Sequence, residues 1–276
     1  MCRHLAWVGP RRSVASLVLE PAHSLLRQSY APADMRGGGT VNADGFGAGW
    51  YGAREDARED TREDTAAADV PVRYRSARPL WSDSAFASVA AGASCTALLA
   101  AVRSATTGMP VTETAAAPFT ADRWLFSHNG VVRGWPDSVA DVAARLPVRD
   151  LLTLDAPTDA ALLWALVRHR LRAGEDPAAV LAETVAEVET AAPGSRLNLL
   201  LTDGATIWGT AWDHALSVRI SDTEVTVASE PMDPEPMDTE PMDTEPTGTD
   251  EAWKPVPEAH LVVARPGALT LTPIGT

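Results

Sequence analysis

The residue of this chain with the clearest capacity for chemistry is Cys2, which directly follows Met1. Removal of Met1 would leave a thiol and a free α-amino group on one residue. An ordinary thiol has a pKa of about 8.5 and an α-amino group a pKa of about 8, so the amine can take the thiol proton near neutral pH. The alternative is that Cys2 merely begins a buried strand. Its position leaves both interpretations open.

Three further short motifs place polar side chains at the ends of predicted elements. The segment Arg103–Thr106 follows an apolar run of strand length, and Asn129–Gly130 ends a second predicted strand. Thr158–Asp159 directly precedes a strongly apolar helical pattern. Loops at strand ends are common places for binding sites. By spacing alone, however, Asn129–Gly130 predicts a β-hairpin turn and Thr158–Asp159 an ordinary helix cap.

The net charge of −14 is concentrated in two short stretches of the chain. Residues 230–251 carry −9 and residues 54–69 carry −4, which leaves −1 for the rest. No basic stripe remains to neutralise phosphates, so we expect no nucleic-acid partner. Because no apolar run approaches the roughly 20 residues of a membrane span, we expect no membrane partner either.

Both acidic stretches consist of short repeats. Arg-Glu-Asp units recur from Arg54, and Glu-Pro-Met-Asp units recur between residues 230 and 249. Proline in every unit of the second repeat disfavours helix and sheet, and the charge of both opposes burial. We therefore expect disordered, inserted loops at 54–69 and 230–251 within a single domain that spans residues 1–276.

Cysteine and histidine usage predicts neither a disulfide framework nor a metal site. The chain has two cysteines, and Cys95 lies in an apolar run typical of a core strand. Its six histidines show no His-x-His or His-Glu-x-x-His spacing, and no Cys-x-x-Cys pair is present. We expect no metal, no cofactor and a reducing cytoplasm as the location.

The elements that must position these residues alternate between β and α patterns. Alanine- and leucine-rich helices are typical of a layer that packs over a sheet, and the region 197–228 predicts four strands of one antiparallel meander. Helices are predicted over 13–28 with a break at Pro21, 84–91, 136–146, 160–171 and 177–191. Other strands are predicted over 3–9, 41–51, 72–76, 96–102, 124–130, 260–265 and 269–272.

Taken together and in this order, Cys2 and the three motifs resemble the glutaminase domain of class II glutamine amidotransferases, a branch of the amino-terminal nucleophile hydrolases. The resemblance runs by motif from Cys2 to about Leu171 and by element order to the end of the chain. It implies an α+β fold in which two antiparallel sheets lie between helical layers, a four-layer αββα sandwich.

The resemblance also implies the catalytic residues. Cys2 would be the nucleophile, with its own α-amino group as the general base. The side chain of Asn129 and the backbone N–H of Gly130 would form the oxyanion hole, and loss of one such donor typically lowers the rate on the order of 10² to 10³. His128 is expected to have a structural role, since the amine replaces imidazole in this family.

Three other residues would bind the substrate. The resemblance assigns Arg103, with the hydroxyl of Thr106 beside it, to the substrate α-carboxylate, a task that suits the planar fork of a guanidinium group. It assigns Asp159 to the substrate α-ammonium group, a role compatible with a place at the start of a helix. The glycine-rich stretch 42–49 is expected to position Cys2.

Three stretches of the sequence resemble one group of enzymes within this family. Residues 2–9, 45–51 and 227–231 resemble the γ-glutamyl hydrolases of ergothioneine biosynthesis. This implies hydrolysis of a small-molecule γ-glutamyl amide through a Cys2 thioester, with no protein partner required. Two alternatives stay open: a glutaminase subunit that delivers ammonia to a partner synthase, and a catalytically silent binding or scaffold protein.

Overall fold

The strands of the protein form two antiparallel sheets in the computed structural model, which describes residues 2–34, 41–52, 70–233 and 252–275. Runs of apolar residues supply most of these strands, because both faces of each sheet are covered. Within the described residues the strands, in chain order, are β1 (Arg3–Ser13), β2 (Phe46–Gly52), β3 (Val72–Ser76), β4 (Ser94–Val102), β5 (Phe119–Ala121), β6 (Trp124–Val131), β7 (Arg196–Thr202), β8 (Ile207–Ala211), β9 (Ser217–Ile220), β10 (Val225–Ala228), β11 (Lys254–Pro255), β12 (His260–Arg265) and β13 (Ala268–Pro273).

The strand order places Cys2 at the middle of one sheet. Among the described strands, the first sheet has the order β11-β9-β10-β1-β4-β2-β3 and the second the order β13-β12-β8-β7-β6-β5. The strand that follows Cys2, β1, pairs with β10 on one side and β4 on the other. In the second sheet, β6 pairs with β5 and β7 and carries Asn129 and Gly130.

The helices cover the outer faces of the two sheets. None of the helices in the described part of the chain combines the length and apolar composition that a membrane span needs. They are α1 (Val14–Val18), α2 (Leu25–Tyr30), α3 (Ser84–Gly92), α4 (Ala140–Ala143), α5 (Val148–Leu152), α6 (Asp159–Arg172) and α7 (Pro177–Ala191).

Alternate strand residues enter different layers of the core. In β1, Leu5 and Trp7 pack with α1, α2 and α3, whereas Ala6 and Val8 pack between the two sheets. A third cluster joins the outer face of the second sheet to α4, α6 and α7. Three apolar clusters therefore separate four layers, and the predicted αββα sandwich is confirmed.

The two long helices begin at the capping residues found in the sequence. Thr158 is the N-cap of α6, where its side-chain oxygen accepts a hydrogen bond from the Ala161 N–H at 3.2 Å. Asp176 caps α7 in the same way through the Ala179 N–H at 3.0 Å. Such caps satisfy donors that the first turn leaves free. The predicted helices at 160–171 and 177–191 are confirmed.

Two predictions about the β structure are wrong. Asn129–Gly130 is not a hairpin turn, because both residues lie inside β6, opposite Asn198 and Leu197 of β7. Pairing with a long neighbouring strand outweighs the local turn preference of Asn-Gly. The region 197–228 is not one meander either, because β7 and β8 belong to the second sheet and β9 and β10 to the first.

The acidic stretches fall largely outside the described residues, so their predicted disorder stays a prediction. This applies to all of 54–69 and to 234–251. The residues Glu230–Asp233 are described, and Glu230 and Met232 are buried. The folded body therefore extends into the region that composition assigned to a loop.

Candidate active site

A cavity opens where Cys2, the end of β4 and the start of α6 meet. Cys2 and Arg103 are close because β1 and β4 are antiparallel, with Arg3 opposite Val102. The cavity brings together five of the six predicted site residues, namely Cys2, Arg103, Thr106, Gly130 and Asp159. The sixth, Asn129, precedes Gly130 and is fully buried.

Cys2 is half-buried, and two neighbouring groups hold it at the cavity wall. Its thiol donates a weak hydrogen bond to the Ser104 carbonyl, with 3.8 Å between sulfur and oxygen. Its own carbonyl accepts a hydrogen bond from an Arg3 terminal nitrogen at 2.9 Å. Met1 lies outside the described residues, so its removal stays a prediction.

A buried ion pair fixes the start of β1. Arg3 Nε lies 2.5 Å from Glu230 Oε1, and the two side chains are 1% and 4% exposed. Glu230 also accepts hydrogen bonds from His23 Nε2 at 2.6 Å and from the N–H groups of Ala33 and Asp34 at 2.9 and 3.1 Å. Burial alone would raise the pKa of Glu230, but His23, Arg3 and the two N–H groups together lower that pKa to about 2.

Arg103 and Asp159 line the cavity as buried charges of opposite sign, at 9% and 6% exposure. Arg103 donates to the Pro110 carbonyl at 2.7 Å. Asp159 accepts from the Ala160 N–H at 2.8 Å and the Val132 N–H at 3.0 Å. In the described part of the chain neither residue forms an ion pair, and they do not pair with each other. Both charges are therefore available to a ligand.

The loop that carries Arg103 is held by the glycine-rich stretch before β2. The Arg103 N–H donates to the Gly45 carbonyl at 2.8 Å, and the Asp44 N–H donates to the Arg103 carbonyl at 2.9 Å. Asp44 Oδ2 also accepts from the Ala105 N–H at 2.8 Å. Gly45 has a φ of +114°, which favours glycine. These bonds run to the Arg103 loop, whereas the resemblance assigned this stretch to Cys2.

Gly130 occupies a place that only glycine fits. A Cβ atom there would lie 1.8 Å from the carbonyl oxygen of Arg196 on the neighbouring strand. His128, on the same face of β6, has its Nε2 2.9 Å from that oxygen and also lines the cavity. Glycine at position 130 therefore allows this wall of the cavity to lie close to the backbone of β7.

Asn129 is connected to the first sheet through Ser229. Its Nδ2 lies 3.0 Å from Ser229 Oγ, and the same oxygen accepts from the backbone N–H of His4 at 3.0 Å. The His4 ring is buried, with Nδ1 2.8 Å from Ser127 Oγ. Burial first, then the nearby His214, His128 and Arg3, lowers the pKa of His4 well below its ordinary value, so the ring is neutral near pH 7. The strand that follows the nucleophile is thus joined to the strand of the expected oxyanion hole.

Sequence reasoning missed Arg3, Ser229 and Glu230 as parts of this arrangement. Composition placed Glu230 in the acidic repeat, although Ser229 and Glu230 directly follow the predicted strand at 225–228. That continuity with a buried strand was the available signal. The side-chain partners lie more than 200 residues apart and carry no local pattern.

Comparison with known proteins relates the whole chain to a single family. The family model for class II glutamine amidotransferases matches residues 24–275. A γ-glutamyl-hercynylcysteine sulfoxide hydrolase of Mycolicibacterium smegmatis is 39% identical over 275 residues, which cover 99% of this chain and 100% of that protein. A protein of the same name from Mycobacterium tuberculosis is 37% identical over 273 residues, which cover 99% and 96%.

Solved structures share the fold at low sequence identity. A glutamine aminotransferase class-II domain protein from Silicibacter pomeroyi has a TM-score of 0.64 at 20% identity and is matched over 100% of both chains. The glutamine phosphoribosylpyrophosphate amidotransferase of B. subtilis has a TM-score of 0.62 at 9% identity, with 99% of this chain matched to 49% of that one. These two likenesses concern the fold alone and agree with the two-sheet architecture.

Proposed function

The chain belongs to the class II glutamine amidotransferase family, and on that premise we propose that it hydrolyses the γ-glutamyl amide of γ-glutamyl-hercynylcysteine sulfoxide. The products would be glutamate and hercynylcysteine sulfoxide. Support for this substrate comes from relatives of that name, which align with nearly the full chain at 37–39% identity. No partner protein is required for this reaction.

One observation carries the γ-glutamyl part of the proposal: a buried guanidinium and a buried carboxylate, without ion-pair partners in the described chain, line one cavity with a cysteine thiol. Unpaired buried charges are costly to a fold. Their presence is accounted for by a zwitterionic ligand whose α-carboxylate binds Arg103 and whose α-ammonium binds Asp159. A γ-glutamyl group has both charges at one end and its scissile carbonyl at the other.

The reaction would proceed by acyl transfer to sulfur. The α-amino group of Cys2 takes the thiol proton, and the sulfur attacks the γ-carbonyl carbon. The resulting oxyanion binds the Asn129 side chain and the Gly130 N–H. As the C–N bond breaks, the ammonium group gives its proton to the leaving nitrogen. The amine then activates water, which hydrolyses the thioester and releases glutamate.

The location proposed with this function is the cytoplasm. The two cysteines are both free, Cys2 at the cavity and Cys95 in the core. Burial raises the pKa of the Cys95 thiol to about 12, which keeps it protonated and inert. An enzyme that depends on a free thiol suits a reducing compartment.

Release of glutamate from γ-glutamyl-hercynylcysteine sulfoxide tests the proposal directly. Wild type should release glutamate, and Cys2→Ala should lose at least about 10³-fold in kcat because no other residue can form the thioester. Cys95→Ala removes the other thiol and should keep most of the activity. Intact-mass measurement of the same samples should show that Met1 is absent.

A wild type that releases no glutamate from the sulfoxide would contradict the proposed function. A Cys2→Ala variant as active as wild type, or a wild type that retains Met1 and yet turns over the substrate, would contradict the proposed mechanism. A wild type that releases ammonia from glutamine much faster than glutamate from the sulfoxide would favour the amidotransferase alternative.

A further inference from the structure

We infer that Ser229 is a positioning residue that orients the Asn129 amide so that its NH₂ group faces the oxyanion. The inference rests on the proposed function. It assigns Ser229, which directly follows β10, to the same reaction as Cys2, although the two residues are 227 positions apart in the sequence. Ser229 does not touch the substrate in this account, and it acts through Asn129.

Geometry places the Ser229 hydroxyl between the two halves of the site. Its oxygen is 3.0 Å from Asn129 Nδ2 on β6 and 3.0 Å from the His4 backbone nitrogen on β1. Ser229 is 1% exposed and Asn129 is 0% exposed, so water does not compete for these contacts. One hydroxyl therefore joins the nucleophile strand of the first sheet to the oxyanion strand of the second.

The two orientations of the amide leave different groups without a hydrogen-bond partner. A serine hydroxyl has one proton to donate and two lone pairs. With Nδ2 facing it, the hydroxyl receives two donors, from Asn129 and His4, and its own proton has no acceptor in the described chain. In that orientation Asn129 Oδ1 is buried without a partner as well. A buried acceptor left unsatisfied destabilises the fold.

Rotation of the amide by 180° pairs Oδ1 and the hydroxyl proton, and it moves the unpaired position from Oδ1 to Nδ2. The two ends of an amide have nearly the same shape, so the hydrogen-bond network selects the orientation. After rotation, the Ser229 hydroxyl donates to Asn129 Oδ1 and still accepts from the His4 N–H. Asn129 Nδ2 then occupies the buried position that has no partner in the described chain. The oxyanion of the proposed reaction would supply the acceptor that this buried donor lacks.

The place of this donor in β6 agrees with an oxyanion hole. Asn129 adjoins Gly130, which lines the cavity with Cys2. A donor in a water-free site interacts strongly with a developing negative charge. Without the Ser229 hydroxyl, the amide would also populate the orientation in which Oδ1 faces the oxyanion and repels it. Ser229 therefore favours the transition state more than the ground state.

The test compares Ser229→Ala with Ser127→Ala. Ser127 is the matched control, because it is also buried and also contacts His4, but it has no described contact with Asn129. Ser229→Ala should lower kcat about 10- to 100-fold, whereas the affinity for L-glutamate, measured by calorimetry, should stay within about 2-fold. Ser127→Ala should keep kcat within about 3-fold of wild type.

A double variant supplies a readout that a merely structural role would not produce. Asn129→Ala alone should lower kcat by about 10² to 10³. If Ser229 acts only through the amide, Ser229→Ala combined with Asn129→Ala should be no slower than Asn129→Ala alone. If Ser229→Ala does not fold, Ser229→Cys, which keeps the size but is a weak donor, carries the same expectation.

The inference would be overturned if the fold-losses in kcat of the two single variants multiplied in the double variant. It would also be overturned if Ser229→Ala lost affinity for L-glutamate in parallel with its loss in kcat. An unchanged kcat in Ser229→Ala would overturn it as well. Wild-type turnover of the γ-glutamyl substrate is measured first. Absence of that turnover contradicts the proposed function, whereas turnover with an indifferent Ser229 contradicts this inference alone.

Discussion

Two combinations of an arginine and a carboxylate flank Cys2, and they differ in how their charges are satisfied. In the closed pair, Arg3 and Glu230 contact each other, and Glu230 receives three further donors. In the open pair, Arg103 and Asp159 face one cavity and form no ion pair within the described residues. Both pairs are buried, so exposure does not distinguish them.

The difference shows how one fold uses buried charge for two purposes. A buried charge with a complete set of partners fixes geometry, and here Arg3 holds the carbonyl of Cys2. A buried charge without a partner weakens the fold and becomes favourable only when a ligand supplies the opposite charge. Removal of a charge should therefore affect stability at the closed pair and catalysis at the open pair.

The largest expected effect is the loss of activity at the open pair. Arg103→Gln and Asp159→Asn should each lower kcat/KM for the γ-glutamyl substrate by about 10² to 10³, because loss of one partner of a buried charge contact typically costs 2 to 5 kcal/mol. Asp176→Asn is the matched control, since Asp176 also begins a helix but lies at α7. Steady-state glutamate release measures the effect. An Asp159→Asn variant with wild-type kcat/KM would show that the charge of Asp159 does not bind the substrate.

The next effect is the loss of stability at the closed pair. Glu230→Gln leaves the buried Arg3 charge without a counter-charge and should lower the free energy of unfolding by about 3 kcal/mol, as measured by urea denaturation. Glu224→Gln removes the partner of Arg12, whose side chain is 45% exposed, and should cost less than about 1 kcal/mol. If the two variants lost the same free energy of unfolding, burial would not explain the stability that the Arg3–Glu230 pair contributes.

This stability difference should also depend on pH. The pKa of Glu230 in the folded protein, about 2, lies below its ordinary value of 4.5. The carboxylate therefore contributes its full stabilisation above about pH 4.5 and loses it as the pH falls toward 2. The gap in unfolding free energy between wild type and Glu230→Gln should narrow across that interval. A gap independent of pH would show that the charge of Glu230 is not the cause.

The smallest expected effect is a gain in stability at the open pair. Arg103→Gln removes a buried charge that has no ion-pair partner in the described chain, so it should raise the free energy of unfolding by about 1 kcal/mol without ligand. Saturating L-glutamate should stabilise wild type more than this variant, because binding to the native state adds to stability. A loss as large as that of Glu230→Gln would show that Arg103 has a structural role like that of Arg3.

Local signals in the sequence predicted much of the fold. Thr158 and Asp176 predicted the starts of α6 and α7, because a helix cap is a hydrogen bond between residues three positions apart in the chain. Which sheet a strand joins depends on partner strands that are distant in the sequence. The division of 197–228 between two sheets could therefore not be predicted from the local order of strands and turns. The Asn129–Gly130 pair shows the same limit, since its turn preference is local and its pairing with β7 is not.

The candidate site also combines residues that local motifs predicted with residues that depend on distant contacts. Cys2, Arg103 and Asp159 were found through motifs at the ends of elements, and the structure places all three on one cavity. Ser229 and Glu230 were missed as supporting residues because the acidic composition that follows them dominated the interpretation. Their burial depends on β1, which lies at the other end of the sequence.

The central position of β1 has a consequence for the timing of synthesis. One neighbour of β1, β10, and the Glu230 that binds Arg3 lie more than 200 residues later in the chain. At about 5 to 20 residues per second, they emerge from the ribosome roughly 10 to 45 s after β1. During that interval the first residues of the chain have no completed sheet around them. The strand β1 and the ion pair of Arg3 with Glu230 are therefore completed only after most of the chain has been made.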